Sequence, residues 1–355
     1  MLTDMRNNTN NKSRVSVTLG VILGVLLLSF LLVYDSYVSD FPKSELNSVA
    51  MGTAVNVTVY GADKEACNEI MREISLLESI ISRNIEGSAA DKLNKRAIVI
   101  DAELAKLAEI CNKNALLTDG CFDVTIGAVT SLWGIGTENA RVPDEAELAQ
   151  ALETVDHTAL TVTGNTVSCK SGQNCDFGAV GKGYACDKAY ELLSQGGNNG
   201  AVVSVGGSIL VCGVRNPKGS PWKVAVRNPA NEGYLGTLTL NAVRPWFIST
   251  SGDYERTLEI DGKVYHHIID SNTGYSAESG LTSVTVLCDN GADADALSTA
   301  CFVAGLEKGT EIIKKADASF CEAIFVDKIG NVYITEGLRD IFSLEAEGYM
   351  LNYLT

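Results

Sequence analysis

Short β-type segments separated by glycine turns make up most of the chain from residue 160 onward. AVVSVGGSILVCGV, WKVAVRNP and KVYHHIID are examples, and a β-branched strand is expected at residues 281–288. Two helices interrupt these strands, at about residues 181–195 and at residues 293–306, and a hairpin is expected at residues 322–338. Antiparallel strands mixed with interspersed helices predict an α+β fold rather than a regular βαβ array.

The region before residue 160 is predicted to be mostly helical. Alternating Val55, Val57 and Val59 indicate one strand within residues 51–61, ahead of the helices. Apolar residues at helical spacing, or a capping pattern, predict three helices at residues 63–82, 101–117 and 143–152.

Residues 15–34 form a stretch of twenty residues without charge, VSVTLGVILGVLLLSFLLVY, which is long enough for a helix to cross a bilayer. Basic residues precede it and acidic residues follow it, so the amino end is expected to stay in the cytoplasm. A cleaved signal peptide is the alternative, but the apolar run is longer than an ordinary signal core and no small-x-small site follows it.

This topology divides the chain into four parts. Residues 1–14 are expected to form a cytoplasmic tail, residues 15–34 a transmembrane anchor or uncleaved signal, and residues 35–45 a spacer. Residues 46–355 are long enough to bury a substantial core and are expected to lie outside the cytoplasm.

The formal net charge of −16 limits the ligands that the chain can bind. It argues against a nucleic-acid partner, because such proteins use a basic surface to replace the counterions of the phosphate backbone. A phosphate-bearing ligand would need a metal ion, a lysine or oriented backbone amides to offset the negative field.

The ten cysteines contain no CxxC pair. Their spacing therefore supports neither a zinc finger nor thioredoxin-like chemistry. Disulfides in an exported domain and free buried thiols both stay open, the second being the simpler interpretation for cysteines in apolar stretches.

A glycine-rich stretch, DFGAVGKGYACD at residues 176–187, leads into a helix and carries Lys182. Its spacing is too short for the GxxxxGK[ST] phosphate loop, and the GxGxxG pattern is absent. Backbone amides at such a helix start can hold phosphate, but glycines that merely turn the chain from strand to helix are an equal alternative. A second small-residue cluster, STSGDYE at residues 249–255, is predicted to be a turn.

Asp295 and Thr299 lie four residues apart in the helix expected at residues 293–306, so their oxygens face the same side. A carboxylate and a hydroxyl one turn apart suit Mg²⁺, which prefers oxygen ligands. The alternative is helix capping and solvation, for which Asp293 is well placed.

His266 and His267 are two of only three histidines and follow each other in a predicted strand. Side chains of neighbouring strand residues point to opposite faces, so only one of the two can normally join a given site. A structural role is the commoner one for a strand histidine, while the nearby Asp270 and the Thr273–Gly274 turn favour proton transfer.

The order of these stretches resembles one family, ApbE, the FAD:protein FMN transferases, over residues 46–345. The matching segments are MGTAVNVTVYG, SRNIEGSAADKLN, GCFDVTIGAVTSLWGIG, DFGAVGKGYACD, SVGGSI, WKVAVRNP, STSGDYER, HHIIDSNTGY and SVTVLCDNGADADALSTA. The resemblance implies an α+β fold and an enzyme that binds FAD with Mg²⁺ and transfers its FMN half to a threonine or serine hydroxyl, releasing AMP. The implied targets are exported or membrane redox proteins with an FMN-binding domain.

The resemblance also implies the site residues. The Ala179 carbonyl, the Asp295 carboxylate and the Thr299 hydroxyl are expected to hold magnesium. His267 aligns with the histidine of the family's H-I-I-D pattern and is expected to take the proton of the target hydroxyl. The expected flavin-nucleotide contacts are Met51, Cys121, Phe122, Asp123, Asp176, Lys182, Ser298 and the backbone near Ile269.

Two positions depart from the family pattern, and a third is variable within the family. Asn84 stands where the family has a tyrosine, which removes a ring-stacking partner for the flavin. The segment 270–272 lacks the proline of D-P-x-T-G, and Lys182 occupies a position where the family has either a lysine or an acid.

The implied mechanism joins two effects. Magnesium offsets charge on the pyrophosphate, and His267 activates the hydroxyl for in-line attack on the FMN-side phosphorus. A magnesium-dependent FAD pyrophosphatase, with water in place of the hydroxyl, would use the same residues. A non-catalytic FAD-binding module is the other alternative, and the Asp295/Thr299 pair weighs against it because flavin binding alone needs no metal ligand.

Overall fold

In the computed structural model, which describes residues 26–242, 244–316 and 318–354, a nine-stranded sheet forms the centre of the fold. The strands are β1 (Lys43–Ala50), β2 (Thr53–Tyr60), β3 (Ile98–Ile100), β4 (Thr161–Thr163), β5 (Thr166–Ser168), β6 (Gly200–Val205), β7 (Ser208–Gly213), β8 (Trp222–Arg227), β9 (Tyr234–Leu240), β10 (Trp246–Gly252), β11 (Thr257–Ile260), β12 (Lys263–His266), β13 (Leu281–Cys288), β14 (Cys321–Asp327), β15 (Asn331–Thr335), β16 (Phe342–Leu344) and β17 (Met350–Leu354). The helices are α1 (residues 26–38), α2 (Lys64–Ile81), α3 (Ala89–Arg96), α4 (Ala102–Leu117), α5 (Gly127–Trp133), α6 (Glu145–Leu152), α7 (Gly178–Leu193) and α8 (Gly291–Lys315).

The strand order in the large sheet is β1-β2-β6-β7-β10-β13-β14-β15-β17. Neighbouring strands are antiparallel except for β15 and β17, which are parallel. Three smaller sheets have the orders β16-β9-β8, β3-β5-β4 and β11-β12. The predicted α+β class, with antiparallel sheets and interspersed helices, is confirmed.

The central strands β7, β13 and β14 of the large sheet are buried on both faces, because buried side chains occupy successive positions that point to opposite faces. On β13, Val284 and Val286 pack in a cluster with Phe302 of α8, while Leu287 packs on the opposite face with Leu238 of β9. Helices α2, α4, α7 and α8 contribute to the core on the first face, and the β16-β9-β8 sheet covers part of the second. Each fully buried Val or Leu side chain stabilises this arrangement by roughly 1.5–3 kcal/mol.

Helices α7 and α8 approach each other at a pair of glycines. A Cβ atom on Gly183 would lie 2.0 Å from the Gly291 carbonyl oxygen, and one on Gly291 would lie 2.1 Å from that of Gly183. One turn further along α7, the carboxylate of Asp187 accepts the N–H groups of Gly291 and Ala292 at 2.6 and 2.9 Å. It thereby satisfies free donors in the first turn of α8, and burial raises its pKa to about 7.

Most predicted element boundaries hold within a few residues. Helix α7 begins at Gly178, three residues before the predicted start, so the glycine run lies inside the helix and permits close helix packing rather than a turn into it. Helix α8 continues to Lys315, but its backbone breaks at Gly305 (φ 78°, ψ 178°), next to the predicted end at residue 306. The predicted turn at 249–255 is wrong at its start, since Ser249–Gly252 complete β10.

Part of the predicted transmembrane segment, residues 15–25, lies outside the described residues, as does the predicted cytoplasmic tail. Its remaining residues, 26–34, belong to α1. Among the helices of the described residues, none combines the length and the apolar character needed to cross a membrane.

Candidate functional site

The carboxylate of Asp295 lies where α7, α8 and β10 meet. Its Oδ1 accepts a hydrogen bond from Ser249 Oγ at 2.7 Å, and its Oδ2 accepts one from the Gly183 N–H at 2.9 Å. Lys182 Nζ is 3.7 Å from the same Oδ2. Only 4% of the Asp295 side chain is exposed, so a buried anion is held by one hydroxyl, one backbone amide and one nearby ammonium group.

Hydroxyl groups extend this cluster along α8. Ser251 Oγ is 2.9 Å from Ser298 Oγ and 3.1 Å from Thr299 Oγ1. Ser298 Oγ also donates to the Asp295 carbonyl at 3.0 Å. Asp295 and Thr299 therefore face β10 together, as their spacing predicts.

The geometry fits a hard cation bound by oxygen ligands. In a regular helix the Gly183 N–H would bond to the Ala179 carbonyl, so the Asp295 carboxylate that accepts this N–H competes with that carbonyl. The Ala179 carbonyl keeps acceptor capacity at the place where the carboxylate arrives. The three expected ligands, a carbonyl, a carboxylate and a hydroxyl, are the type that Mg²⁺ takes while it retains waters. Within the described ranges, no group of three or more His, Cys, Asp or Glu side chains could hold a metal.

Lys182 connects this cluster to a second acid. Glu255 reaches solvent, yet the surrounding protein desolvates it enough to raise its pKa, while Lys182 acts to lower that pKa and Asp295 to raise it. Two carboxylates thus flank one ammonium group at the entrance to the cluster. A lysine so placed can turn towards a phosphate that enters the site.

His267 follows directly after the last residue of β12. Its backbone N–H donates to the Arg256 carbonyl at 3.2 Å, and its Nδ1 is buried without a hydrogen-bond partner. Burial, reinforced by the positive charges of Lys182 and Arg256, lowers its pKa to about 4. The imidazole is therefore neutral at physiological pH and can accept a proton.

His266 also has a buried Nδ1 without a hydrogen-bond partner, but the rest of its ring is held differently. Its Nε2 lies 3.1 Å from the Ala277 carbonyl oxygen, and its ring meets Phe302 edge-on at 5.5 Å between centroids. Its backbone N–H and carbonyl both bond to the hydroxyl of Ser276, at 2.9 and 2.7 Å. These contacts give His266 a packing role, so the two histidines have separate surroundings. The predicted strand ends at His266, however, and does not include His267.

A turn without proline follows the histidines. Asp270 Oδ1 accepts the Asn272 N–H at 2.9 Å, and the Gly274 N–H donates to the Asp270 carbonyl at 2.8 Å. Trp133 Nε1 binds the Gly274 carbonyl at 2.7 Å, and a Cβ atom at Gly274 would lie 2.8 Å from Leu148. Side-chain and backbone hydrogen bonds therefore order this turn in the absence of the family's proline.

The turn also contacts the 121–123 segment, where three of the predicted flavin contacts lie. Ser271 Oγ donates to the Gly120 carbonyl at 2.7 Å. The side chains of Cys121 and Phe122 are buried in the core, and their backbone N–H groups donate to the carbonyl and the hydroxyl of Thr118, both at 3.2 Å. Asp123 is buried as well, and its Oδ1 accepts the N–H and the hydroxyl of Thr125 at 2.8 and 2.7 Å.

Asp176 lies at the start of α7 and forms an ion pair with Arg83, with 3.1 Å between Oδ2 and Nη2. Arg83 also donates to the Gly127 carbonyl at 2.6 Å. The Asp176 N–H donates to the Val124 carbonyl at 2.7 Å, which joins this acid to the 121–123 segment. The neighbouring Asn84, where the family has a tyrosine, is exposed.

The two other predicted flavin contacts lie at the edges of this region. Met51 adopts a left-handed backbone (φ 53°) in the β1–β2 turn, and the next residue, Gly52, is close to Arg256, with 3.5 Å from its carbonyl to Arg256 Nη2. Ile269 is buried in a cluster with Trp133. Contacts of Arg256, Lys182 and the 270–274 turn thus draw the predicted site residues towards one region.

Sequence reasoning missed four residues of this site. Ser249 and Ser251 fall in the stretch that is predicted to be a turn, whereas in the structure they lie two residues apart in β10 and therefore point to the same face of the strand. Arg83 and Glu255 belong to no sequence pattern that would indicate a functional role. Their roles depend on partners at Asp176 and Lys182 that are distant in the chain.

Comparison with known proteins identifies the family of the chain. The ApbE family matches residues 51–325. The chain belongs to the ApbE family. It is 33% identical over 315 residues to the FAD:protein FMN transferase of Treponema pallidum, an alignment that covers 82% of this chain and 86% of the relative. Its curated ApbE relatives are named as transferases, and the chain is an enzyme of that class.

Solved structures of the ApbE family share the fold. The ApbE protein of Thermotoga maritima superposes with a TM-score of 0.77 at 29% identity, covering 84% of this chain and 99% of that one. The apo form of the flavinyl transferase ApbE of Pseudomonas stutzeri gives a TM-score of 0.75 at 25% identity, covering 87% and 99%.

Proposed function

We propose that the protein transfers the FMN half of FAD to a threonine or serine hydroxyl of a target redox protein that carries an FMN-binding domain. The reaction forms a phosphoester bond between the target oxygen and the FMN-side phosphorus, breaks the pyrophosphate bond and releases AMP. The proposal is based mainly on the place where α7, α8 and β10 pack together. There the buried Asp295 carboxylate lies 3.7 Å from Lys182 Nζ. The names of the curated relatives support the same reaction.

The Ala179 carbonyl, Asp295 and Thr299 would hold magnesium. When bound, the metal supplies positive charge that offsets the negative charge on the pyrophosphate oxygens during transfer. This charge compensation is important because the chain has a formal net charge of −16, which disfavours binding of an anionic pyrophosphate. Lys182 adds a mobile cation for the phosphates, and Ser249 and the Gly183 N–H hold the Asp295 carboxylate in place.

His267 would act as the general base. A ring nitrogen accepts the proton of the target hydroxyl as the oxygen attacks phosphorus. Its pKa of about 4 keeps the ring neutral, and the unpartnered Nδ1 leaves proton-accepting capacity in a buried position. A base with so low a pKa is weak, so close positioning of hydroxyl and phosphorus must contribute much of the rate.

The decisive experiment compares two neighbouring histidines. The full chain is incubated with FAD, Mg²⁺ and a candidate target protein, and covalent flavin is followed by fluorescence on a denaturing gel. His267→Ala should reduce transfer by about 10²–10⁴-fold while FAD binding survives, since general-base catalysis contributes on that scale. His266→Ala is the matched control and should retain most of the transfer rate. Full activity of His267→Ala would reject the assignment.

The same incubation separates the alternative functions. Free FMN and AMP without labelled protein would indicate an FAD pyrophosphatase. FAD that binds without regard to Mg²⁺ and stays intact would indicate a non-catalytic flavin-binding module. Chelation of Mg²⁺ with EDTA should stop transfer and be reversed by added Mg²⁺.

The proposed location is outside the cytoplasm, with residues 46–355 as the catalytic part, residues 35–45 as a spacer, residues 15–34 as the anchor and residues 1–14 in the cytoplasm. The charge distribution around the apolar segment supports this orientation. Protease added to intact spheroplasts should digest the catalytic part and release it from the membrane fraction. Complete protection of the chain would reject the orientation.

A further inference from the structure

The ten cysteines differ in their access to solvent. Eight are buried, and two, Cys169 and Cys321, are partly exposed. Each of these two lies beside one particular buried cysteine. Each partly exposed cysteine therefore has a buried cysteine next to it, which gives two pairs.

Cys288 and Cys321 are direct partners across two strands. They occupy the last register position of the antiparallel pair β13 and β14, opposite each other. Residues directly opposite in an antiparallel pair have Cα atoms about 4.5–5.5 Å apart, which lies within the range that a disulfide requires. Each of the two thiols also acts on the pKa of the other, in agreement with this register.

Cys169 and Cys175 flank the short loop between β5 and α7, and both are held against the end of α3. The Cys169 N–H donates to the Ala97 carbonyl at 3.0 Å, and Cys169 Sγ is 3.9 Å from the Leu93 carbonyl oxygen. The Cys175 N–H donates to Asn94 Oδ1 at 2.8 Å, and its carbonyl accepts Asn94 Nδ2 at 3.0 Å. Cys175 belongs to a buried apolar cluster and Cys169 packs against that cluster, so the two side chains lie in the same place, and each thiol acts on the pKa of the other.

We propose that these four cysteines form two disulfides, Cys169–Cys175 and Cys288–Cys321, when the protein meets a disulfide oxidant such as oxidised glutathione. The other six cysteines stay as thiols. The first bond would brace the loop that ends at Asp176, and the second would join β13 to β14 beside the start of α8. This modification is independent of flavin transfer, since it needs neither FAD nor metal.

The chemistry balances with one oxidant molecule for each pair. The outer thiolate attacks the glutathione disulfide, whose sulfur–sulfur bond breaks and releases one glutathione thiolate. The buried partner then attacks the mixed disulfide, forms the internal bond and releases the second glutathione. Two protein thiols lose two electrons and two protons, and two glutathione thiols are produced. The neighbouring Cys175 lowers the pKa of Cys169, which favours the thiolate at the partly exposed position of that pair. In the other pair the pKa of the partly exposed Cys321 is raised and that of the buried Cys288 is lowered, so access to oxidised glutathione decides that Cys321 reacts first.

The remaining six cysteines have no such arrangement. Cys111 and Cys301 are fully buried, and burial raises the pKa of each thiol far above its ordinary value. Cys67 and Cys301 donate to backbone carbonyls, of Ser44 and Gly309, at 3.4 and 3.5 Å. These residues provide internal controls within the same chain.

The test counts thiols. The full chain is equilibrated with oxidised glutathione or with dithiothreitol, denatured in N-ethylmaleimide and weighed by mass spectrometry. Ten cysteines with two internal bonds leave six maleimide adducts in the oxidised sample, against ten in the reduced sample. Peptide mapping without reduction should find the two cross-links named above. Ten adducts after oxidation, cross-links between other cysteines, or stable glutathione adducts in place of the internal bonds would overturn the proposal.

Variants sharpen the assignment. Cys321→Ser removes one bond and should leave seven adducts after oxidation, and Cys169→Ser should do the same through the other pair. Cys212→Ser, at a buried cysteine outside both pairs, should keep both bonds and leave five. The oxidised wild type should also unfold several degrees above the reduced protein, a difference that both pair variants should diminish. Equal adduct counts for Cys321→Ser and Cys212→Ser would contradict the Cys288–Cys321 bond.

Discussion

Asp293 and Asp295 lie two residues apart on α8 and are both buried, yet their carboxylates have different partners on the two sides of the helix. On the α4 side, Asp293 is saturated by structural partners: Lys113 Nζ at 2.9 Å, Asn114 Nδ2 at 2.7 Å and Asn290 Nδ2 at 2.8 Å. On the α7 and β10 side, Asp295 has two hydrogen bonds and a lysine at 3.7 Å. Burial of a carboxylate therefore does not by itself indicate function. The better indicator is whether its neighbours leave carboxylate oxygens available to a ligand.

Of the changes that test this contrast, removing the charge on the α7 side should have the largest effect. Asp295→Asn should lower the rate of flavin transfer by about 10²–10³-fold, because metal-assisted charge stabilisation contributes several kcal/mol. The rate of covalent flavin incorporation at saturating FAD and graded Mg²⁺ measures it. Transfer at the wild-type rate would show that Asp295 is not a metal ligand, and the proposed difference between the two acids would be wrong.

The pH dependence of stability tests the charge environment of His267. Its pKa is about 6.5 when unfolded and about 4 when folded, so the unfolded chain binds the proton first. Above pH 6.5 His267 is neutral in both states and does not lower the free energy of unfolding. As the pH falls towards 4, protonation of this residue in the unfolded chain lowers that free energy by up to about 3 kcal/mol. Urea unfolding of the FAD-free protein at pH 7 and pH 4.5 should show a larger loss for wild type than for His267→Ala. Identical losses would place His267 in a more polar environment than described.

Removing the charge on the α4 side should affect stability instead. Asp293→Asn leaves Lys113 without its carboxylate and should lower the free energy of unfolding by about 2 kcal/mol, less than for a fully buried pair because 45% of the lysine side chain is exposed. Urea denaturation measures this change, and flavin transfer per folded molecule should stay near wild type. A large loss of transfer in the folded variant would give both aspartates the same role.

The smallest expected effect concerns the orientation of Asp295. Ser249→Ala removes the 2.7 Å hydrogen bond to Oδ1 and should slow transfer by about tenfold, since a hydrogen bond to a charged group contributes roughly 1.5–3 kcal/mol and the Gly183 N–H remains. The apparent Mg²⁺ requirement should rise as well. An unchanged Mg²⁺ titration would show that Gly183 alone positions the carboxylate.

The sequence predicts those parts of the molecule whose causes are local. Val55, Val57 and Val59 alternate because β2 faces a core, and α2 occupies Lys64–Ile81 within the predicted residues 63–82. The spacing of Asp295 and Thr299 places both towards β10 because helical geometry requires it. The family resemblance supplied the residue roles, which remain predictions for the metal ligands and the flavin contacts.

Other features depend on contacts between distant segments and leave no local pattern. The glycines of α7 have the sequence pattern of a turn, whereas in the structure Gly183 packs against Gly291. The ordered turn after Asp270 depends on Trp133 and Leu148, and the thiol pairs depend on strand register. Pairwise proximity across the chain cannot be read from periodicity, so these features had to come from the three-dimensional structure.

The hydrogen bond between the Gly183 N–H and Asp295 joins residues 112 positions apart. Contacts of such long sequence separation close large loops and form slowly during folding. The carboxylate reaches its place only when α7, β10 and α8 have docked together. Enzymatic activity is therefore a kinetic reporter of complete folding: in refolding experiments, it should recover later than the helical signal in circular dichroism.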